Sequence, residues 1–390
     1  MKIVADRAIP FVKELFDPFG TVFLIPGHEI NLSSIKDADA LIVRSVTKVD
    51  ADLINGSSIT FVGTATAGID HIDTGYLEAN QIEFVSAPGA NSGSVIEYVL
   101  AALFEISSRS GEVLATKTVG VVGYGQVGSR LERRLKALGV AALACDPILE
   151  RVARQTGMPH SFRSLTALLQ ECDVLTLHVP LTTNGEFPTV QMIDSAAMGM
   201  MRPSSWLLNT SRGGIVDEEA LLNAVSDGQF SRLVTDVWAG EPIPDLRVVA
   251  KSDIATAHIA GYSIDAKLEA TTCMAKAFAR YTGQSETAAV RLSARQGGIH
   301  LVKPETHPKH SFDDYCRDLI RQMYPIMQDD QLMRSGQQSI STDTRRAHEF
   351  RELRSSYSPR YTFGRYQITD ERLSSDMQSK LSEGIGVRVT

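Results

Sequence analysis

TVGVVGYGQVGSRLERRLKALGVAALACD, residues 118–146, divides into a strand, a glycine turn, a helix and a second strand. Val119, Val121 and Val122 form a β-branched run that stops at Gly123-Tyr124-Gly125-Gln126-Val127-Gly128. Val127, Leu131, Leu135 and Leu138 then recur at helical spacing, and Gly139 ends the helix. G-x-G-x-x-G alone says little. Here it lies between a strand and a helix, with Asp146 eighteen residues past the last glycine, which predicts a dinucleotide site. In such a turn Gly123 supplies the bend and Gly125 lets the main chain approach a pyrophosphate. Gly128 lets helix and strand pack closely, while the first N–H groups of the helix face the anion. A carboxylate at Asp146 accepts from the adenine ribose and repels a 2′-phosphate. Pro147, Ile148 and Leu149 follow it, so NAD is expected over NADP, tempered only by Arg151.

The same alternation extends in both directions. Upstream, IVADRAI, TVFLIP, DALIVRS, TFVGTA and IEFVSA are strand candidates of a small α/β layer, and a helix from Ser92 to about Ser108 crosses into the glycine turn. Downstream, DVLTLHVP, SWLLNT, RLVTDVW and DIATAHIA bring the second sheet to about six parallel strands, a doubly wound α/β pattern, with a helix near Asp217 to Ala224 between two of them. A helix over Ile264 to Tyr281 returns the chain to the first layer. After about Gly283 the run RLSARQGGIHLVKPETHPKH is polar with Gly and Pro, so a separate unit is expected from there.

Composition narrows the function. Lys and Arg number 39 against 46 Asp and Glu, a net charge of −7, which argues against nucleic acid or an anionic membrane surface as the main partner. Residues 301–390 carry 14 basic and 13 acidic side chains, too balanced for an electrostatic arm and suited to a packed oligomerisation unit. Cys145, Cys172, Cys273 and Cys316 form no C-x-x-C, so free thiols in a cytoplasmic protein are expected. The N-terminus has no secretory h-region, and Val95 to Ile106, the most apolar helix candidate, contains Glu97 and Glu105 and is too short to span a bilayer. His307 and His310 lack a third ligand nearby, so no metal site is expected.

Chemistry is sought at the carboxyl ends of the later strands. Arg212, in Asn209-Thr210-Ser211-Arg212-Gly213-Gly214, can hold a carboxylate through two parallel hydrogen bonds. Glu241 follows Asp236-Val237-Trp238-Ala239-Gly240, and His258 lies seventeen residues later. A carboxylate paired to an imidazole fixes its tautomer and makes it fit to exchange a proton with a hydroxyl. Singly, Arg212 reads as an exposed loop cation and His258 as a structural hydrogen-bonder. Together in one dinucleotide-binding unit they read as a site. Glu97 reads as a partnered polar group, and His71 and His178 as structural.

GYGQVG, SRGGIVDEEAL, DVWAGEP and AHIAGY together resemble the motifs of the D-isomer-specific 2-hydroxyacid dehydrogenase family over most of the first 285 residues. VRSVTKV at 43–49, FVGTATAGIDHID at 61–73 and FRELRSSYSPRY at 350–361 resemble the members acting on a 2-hydroxy acid with a terminal phosphate. Ala257 departs from the family, which usually has proline there. The resemblance implies three parts: a flavodoxin-like substrate domain from 1–92 with 264–284, a Rossmann NAD domain at 93–263, and a C-terminal α+β dimerisation domain at 285–390. It implies NAD-dependent hydride transfer from C2 of the acid, with His258 as the base, Glu241 as its orienting partner and Arg212 as the carboxylate anchor. Gly123, Gly125, Gln126, Val127, Gly128, Asp146, Thr176, Asn209, Ser211, Asp236 and Gly261 are the implied cofactor contacts, and Ser45, Thr66 and Tyr262 the implied substrate contacts. Beside Ser45, either Arg44 or Lys48 could meet a phosphate. A homodimer is implied as well. The rivals are another 2-hydroxyacid dehydrogenase, such as phosphoglycerate dehydrogenase, and a non-enzymatic NAD-sensing dimer similar to the C-terminal-binding corepressors.

Overall fold

The computed structural model describes residues 1–286, 298–309, 311–338, 342–358 and 360–390. Its internal packing divides the chain into two units, 1–93 with 262–298 and 94–261 with 299–390. His310 lies outside the described residues.

The first unit is built on five parallel strands: β1 (Lys2–Asp6), β2 (Thr21–Ile25), β3 (Ala40–Val43), β4 (Phe61–Thr64) and β5 (Glu83–Val85), in the order β2-β1-β3-β4-β5. Helices cover both faces, which is why ALIV and FVGT are buried at every position instead of alternating. The helix Ile264–Tyr281 brings Phe278 against Phe16, Phe19 and Phe61, with ring centroids 5.7, 5.5 and 4.9 Å away. This flavodoxin-like order changes direction between β1 and β3, so Asp6 and Arg44 stand at adjacent strand ends.

The second unit carries six parallel strands: β6 (Thr118–Val122), β7 (Ala141–Cys145), β8 (Val174–Leu177), β9 (Ser205–Asn209), β10 (Phe230–Thr235) and β11 (Ile254–Ala255). The order β11-β10-β9-β8-β6-β7 is a doubly wound Rossmann sheet whose direction changes between β6 and β8, where the glycine turn leaves. The helix after that turn spans Gly128–Ala137, and Gly139 follows it at φ 80°, the left-handed position that closes a helix.

Residues 299–390 complete the cores of this unit on both faces of its sheet. They add the helices Phe312–Met323, Ile326–Gln338 and Asp343–Ser355, and a parallel sheet of β12 (His300–Leu301), β13 (Tyr366–Ile368) and β14 (Arg388–Val389). Tyr315, Leu319, Phe363 and Leu381 pack with the helix Ser92–Ser110 and one sheet face, while Met333 and Phe350 pack with Trp238, Val248 and Val249 on the other. Buried acids on Ser92–Ser110 find partners here. Glu105 accepts two hydrogen bonds from Arg321, at 2.8 and 2.6 Å, and Glu97 meets Arg360 at 2.9 Å. No helix among the described residues is long and apolar enough to cross a membrane.

Candidate active site

The glycine turn has the features a pyrophosphate needs. A Cβ on Gly128 would lie 1.9 Å from the Gly123 carbonyl oxygen, so helix and strand can meet only with glycine there, whereas the space beside Gly125 is open. Gly125 and Gln126 are exposed and Val127 half-buried at the start of the helix, so main-chain N–H groups there can face an anion. Asp146, at the end of β7, accepts from Tyr124 N at 3.0 Å through Oδ2 and from Leu149 N at 3.0 Å through Oδ1. The carboxylate therefore ties the turn to the second strand and caps the next helix at once. Arg151 is paired with Glu186 and lies 5.9 Å over the Phe187 ring, so an anion at Asp146 would have to compete for it.

At the far strands three loops are locked together. Asn209, at the end of β9, accepts from Ser211 N at 3.1 Å and Ser211 Oγ at 2.9 Å, and donates to the Arg212 carbonyl at 3.0 Å. Asn209 and Ser211 thereby shape the loop that presents Arg212, whose Nη1 donates to the Ser211 carbonyl at 2.8 Å. A Cβ on Gly213 would lie 1.8 Å from the Trp238 carbonyl oxygen, so the Arg212 loop and the Glu241 loop touch through main chain alone.

Asp236 directs the His258 loop. Its buried carboxylate accepts from Thr256 Oγ1 at 2.6 Å, Ile259 N at 2.8 Å and Ala260 N at 3.0 Å, while its carbonyl accepts from His258 N at 2.8 Å. Those bonds hold His258 at φ 55°, a left-handed conformation that a non-glycine residue keeps only when its surroundings impose it. Tyr98 OH, 2.6 Å from Thr256 Oγ1, extends the chain, and Arg360 donates to the Ala260 carbonyl at 3.2 Å. Three of the four acceptor directions of Asp236 are thus spent on the loop.

The turn brings His258 Nδ1 to 2.8 Å from Glu241 Oε2, while Glu241 Oε1 accepts from Trp238 N at 3.0 Å. An ionised carboxylate only accepts, so Nδ1 carries a proton toward Glu241, and Nε2 is the nitrogen that has a lone pair whenever the ring is neutral. Burial pushes the Glu241 carboxyl up, but the hydrogen bond and charge of His258, the charge of Arg354 and the Trp238 N–H together hold it below its ordinary range. The His258 side chain remains 29% exposed, enough to meet a ligand. His178 differs: burial lowers it to about 3 and Nε2 lies 3.0 Å from Thr176 Oγ1, so it is a neutral structural group. Thr176, at the end of β8, is fully buried.

In the first unit the expected substrate contacts lie at the strand ends. Ser45 is exposed. Thr66 Oγ1 donates to the Gly68 carbonyl at 2.7 Å and lies 2.8 Å from Thr64 Oγ1, which in turn meets His71 Nε2 at 3.0 Å. Arg44 Nε donates to Asp6 at 2.9 Å, and Lys48, largely exposed, pairs with Asp50 at 2.7 Å. Tyr262, half-buried, follows Gly261. Sequence reasoning missed the loop-holding network of Thr256, Tyr98 and Arg360, since its members are far apart along the chain. Among the described residues no cluster of three or more His, Cys, Asp or Glu side chains could hold a metal ion.

Residues 100–260 match the model of the D-isomer specific 2-hydroxyacid dehydrogenase, NAD binding domain. The chain is 38% identical to the erythronate-4-phosphate dehydrogenase of Salinibacter ruber, over 100% of this chain and 99% of that one. It is 39% identical to the enzyme of the same name from Citrobacter koseri, over 98% and 97%. Among solved structures it is similar to D-lactate dehydrogenase from Aquifex aeolicus complexed with NAD and lactic acid, at a TM-score of 0.60, with 24% identity, 75% of this chain and 98% of that chain covered. That last likeness is one of fold.

Proposed function

The chain belongs to the D-isomer-specific 2-hydroxyacid dehydrogenase family, among its erythronate-4-phosphate dehydrogenases, and from this we infer the reaction. It oxidises 4-phospho-D-erythronate to (R)-3-hydroxy-2-oxo-4-phosphooxybutanoate with NAD, on the route to pyridoxal 5′-phosphate. The single observation that carries the chemistry is the His258–Glu241 pair, 2.8 Å apart at the carboxyl edge of the sheet that bears the glycine turn.

Bound NAD supplies the hydride acceptor. The chain does the rest. Main chain at Gly123, Gly125, Gln126, Val127 and Gly128 holds the pyrophosphate and Asp146 the adenine ribose, while Gly261 lines the remaining cofactor surface and the buried Thr176, Asn209, Ser211 and Asp236 shape the strand ends and loops that form it. Arg212 takes the substrate carboxylate in its planar fork. His258 Nε2 accepts the proton of the C2 hydroxyl as the C2 hydrogen leaves with its electron pair, and Glu241 stabilises the imidazolium that results. Ser45, Thr66 and Tyr262 serve as substrate contacts, with either Arg44 or Lys48 as the cation beside them. The C-terminal residues 285–390 serve homodimerisation, and the enzyme works in the cytoplasm.

NADH formation by the purified protein with 4-phosphoerythronate tests the reading, with 3-phosphoglycerate as the competing acid. Turnover should favour 4-phosphoerythronate, and His258→Ala should lower kcat by roughly 10²- to 10⁴-fold with NAD binding kept. Full activity in that variant would refute the role of His258.

A further inference from the structure

We propose that Lys267, acting with Arg44 and Ser45, binds the terminal phosphate of the substrate. The owner of that phosphate rests on the functional reading above; the anion site itself rests on the geometry of the first unit. In a parallel sheet of order β2-β1-β3-β4-β5, ligands bind outside the carboxyl ends of the strands where the order changes direction, here between β1 and β3. Asp6 ends β1 and Arg44 directly follows β3.

The pieces at that end are fixed. Asp6 Oδ1 accepts from Ala8 N at 2.9 Å and Oδ2 from Arg44 Nε at 2.9 Å, which sets the guanidinium plane. Thr47 Oγ1 donates to the Gly27 carbonyl at 2.8 Å, and a Cβ on Gly27 would lie 2.6 Å from both Asp6 Oδ2 and Val46 Cγ2. The segment Arg44 to Lys48 is therefore clamped, with Lys48 turned out to Asp50. The helix Ile264–Tyr281 reaches the same place. Thr271 Oγ1 donates to the carbonyl of Pro10, on the chain just leaving β1, at 2.9 Å. Lys267 stands one turn earlier on the same helix face. Its Nζ lies 4.7 Å from the Tyr262 ring centroid, a contact that steadies the ammonium without neutralising it.

Several lysines of the chain are paired with a carboxylate, and Lys267 is among those that are not. Lys13, Lys48, Lys117 and Lys136 each have a carboxylate partner; Lys267 is half-buried and, among the described residues, has no carboxylate within ion-pair distance. Burial lowers its pKa, and the positive charge of Arg44 lowers it further. A half-buried cation that feels the charge of Arg44, even with Arg44 paired to Asp6 at 2.9 Å, gains from an anion beside it. A phosphate dianion suits that place better than a carboxylate, since it offers three acceptor oxygens to donors that come from two elements.

The experiment compares wild type, Lys267→Met and Lys267→Arg as full chains. Two acids are used, 4-phosphoerythronate and unphosphorylated erythronate, together with the thermal stabilisation given by inorganic phosphate. For Lys267→Met the KM for 4-phosphoerythronate should rise about 10- to 100-fold, the worth of one charge-assisted contact. The loss for the phosphorylated acid should far exceed that for erythronate. Stabilisation by phosphate should vanish, Lys267→Arg should recover part of both, and the ligand-free Tm of Lys267→Met should not fall. A KM within twofold of wild type with phosphate stabilisation kept overturns the assignment. So does an equal loss toward both acids accompanied by a lower Tm. If wild type turns over neither acid, the functional reading fails, and the difference in phosphate stabilisation still decides the role of Lys267.

Discussion

Replacing Arg360 by methionine tests how the C-terminal residues support the His258 loop. Arg360 is 8% exposed and donates to Glu97 Oε2 at 2.9 Å, the Ser94 carbonyl at 2.8 Å and the Ala260 carbonyl at 3.2 Å; its guanidinium lies 4.1 Å over the Tyr324 ring. Its removal strips the Glu97 carboxylate, 1% exposed, of its guanidinium partner, while the Phe363 N–H at 2.8 Å and the more distant charge of Arg134 remain. Stripping one partner from a buried pair costs about 3–5 kcal/mol. Adding Glu97→Gln removes the stranded charge yet keeps an acceptor for Phe363 N, so the double variant should recover at least ~2 kcal/mol of that loss. Burial already raises the Glu97 carboxyl above its ordinary range, against the pull of Arg360, and the single variant raises it further. The sign follows. A folded pKa above the unfolded value of about 4.3 makes the folded state bind more protons, so stability falls as pH rises through that window. The deficit of Arg360→Met relative to wild type should be smallest near pH ~5 and grow toward pH ~8. Urea unfolding of wild type, the single and the double variant at several pH values measures this. A deficit under ~1 kcal/mol that is flat with pH, or a double variant no more stable than the single, would refute the reasoning.

Glu241 titrates in the opposite sense. Its folded pKa is depressed, so its contribution is present above the ordinary carboxylate range and is lost as pH falls through the folded value; stability curves for wild type and Glu241→Gln should converge in acid, and curves that stay parallel down to that range would exclude the ion pair. Asp146→Ser keeps a helix cap for Leu149 N while removing the charge, so use of NADP relative to NAD should rise by roughly tenfold in steady-state assays. Arg212→Lys should raise KM for the acid more than it lowers kcat, because a point charge cannot copy a planar fork; an unchanged KM would place the carboxylate elsewhere.

What the sequence determined by itself was local and periodic. A β-branched run, a glycine turn and a leucine stripe at helical spacing identify a dinucleotide fold wherever the chain goes next, because strand and helix periods and glycine sterics act within a few residues. The residue types that can do acid–base chemistry were visible for the same reason, and so was the need of Glu97 for a partner. Tertiary structure decided which groups meet. Nothing in the spacing of Glu97 and Arg360 places them 2.9 Å apart, 263 positions along the chain. Nor does it say that Asp236 gathers Thr256, Ile259 and Ala260 and so forces His258 into a left-handed turn. The hydrophobic pattern of residues 299–390 says that their helices bury a face; only the folded chain shows that the face closes the two cores of the NAD unit. Periodicity reports burial but not the partner, since apolar contact is non-directional and many surfaces would satisfy it. The partner is chosen by shape and by the few buried charges that must be answered.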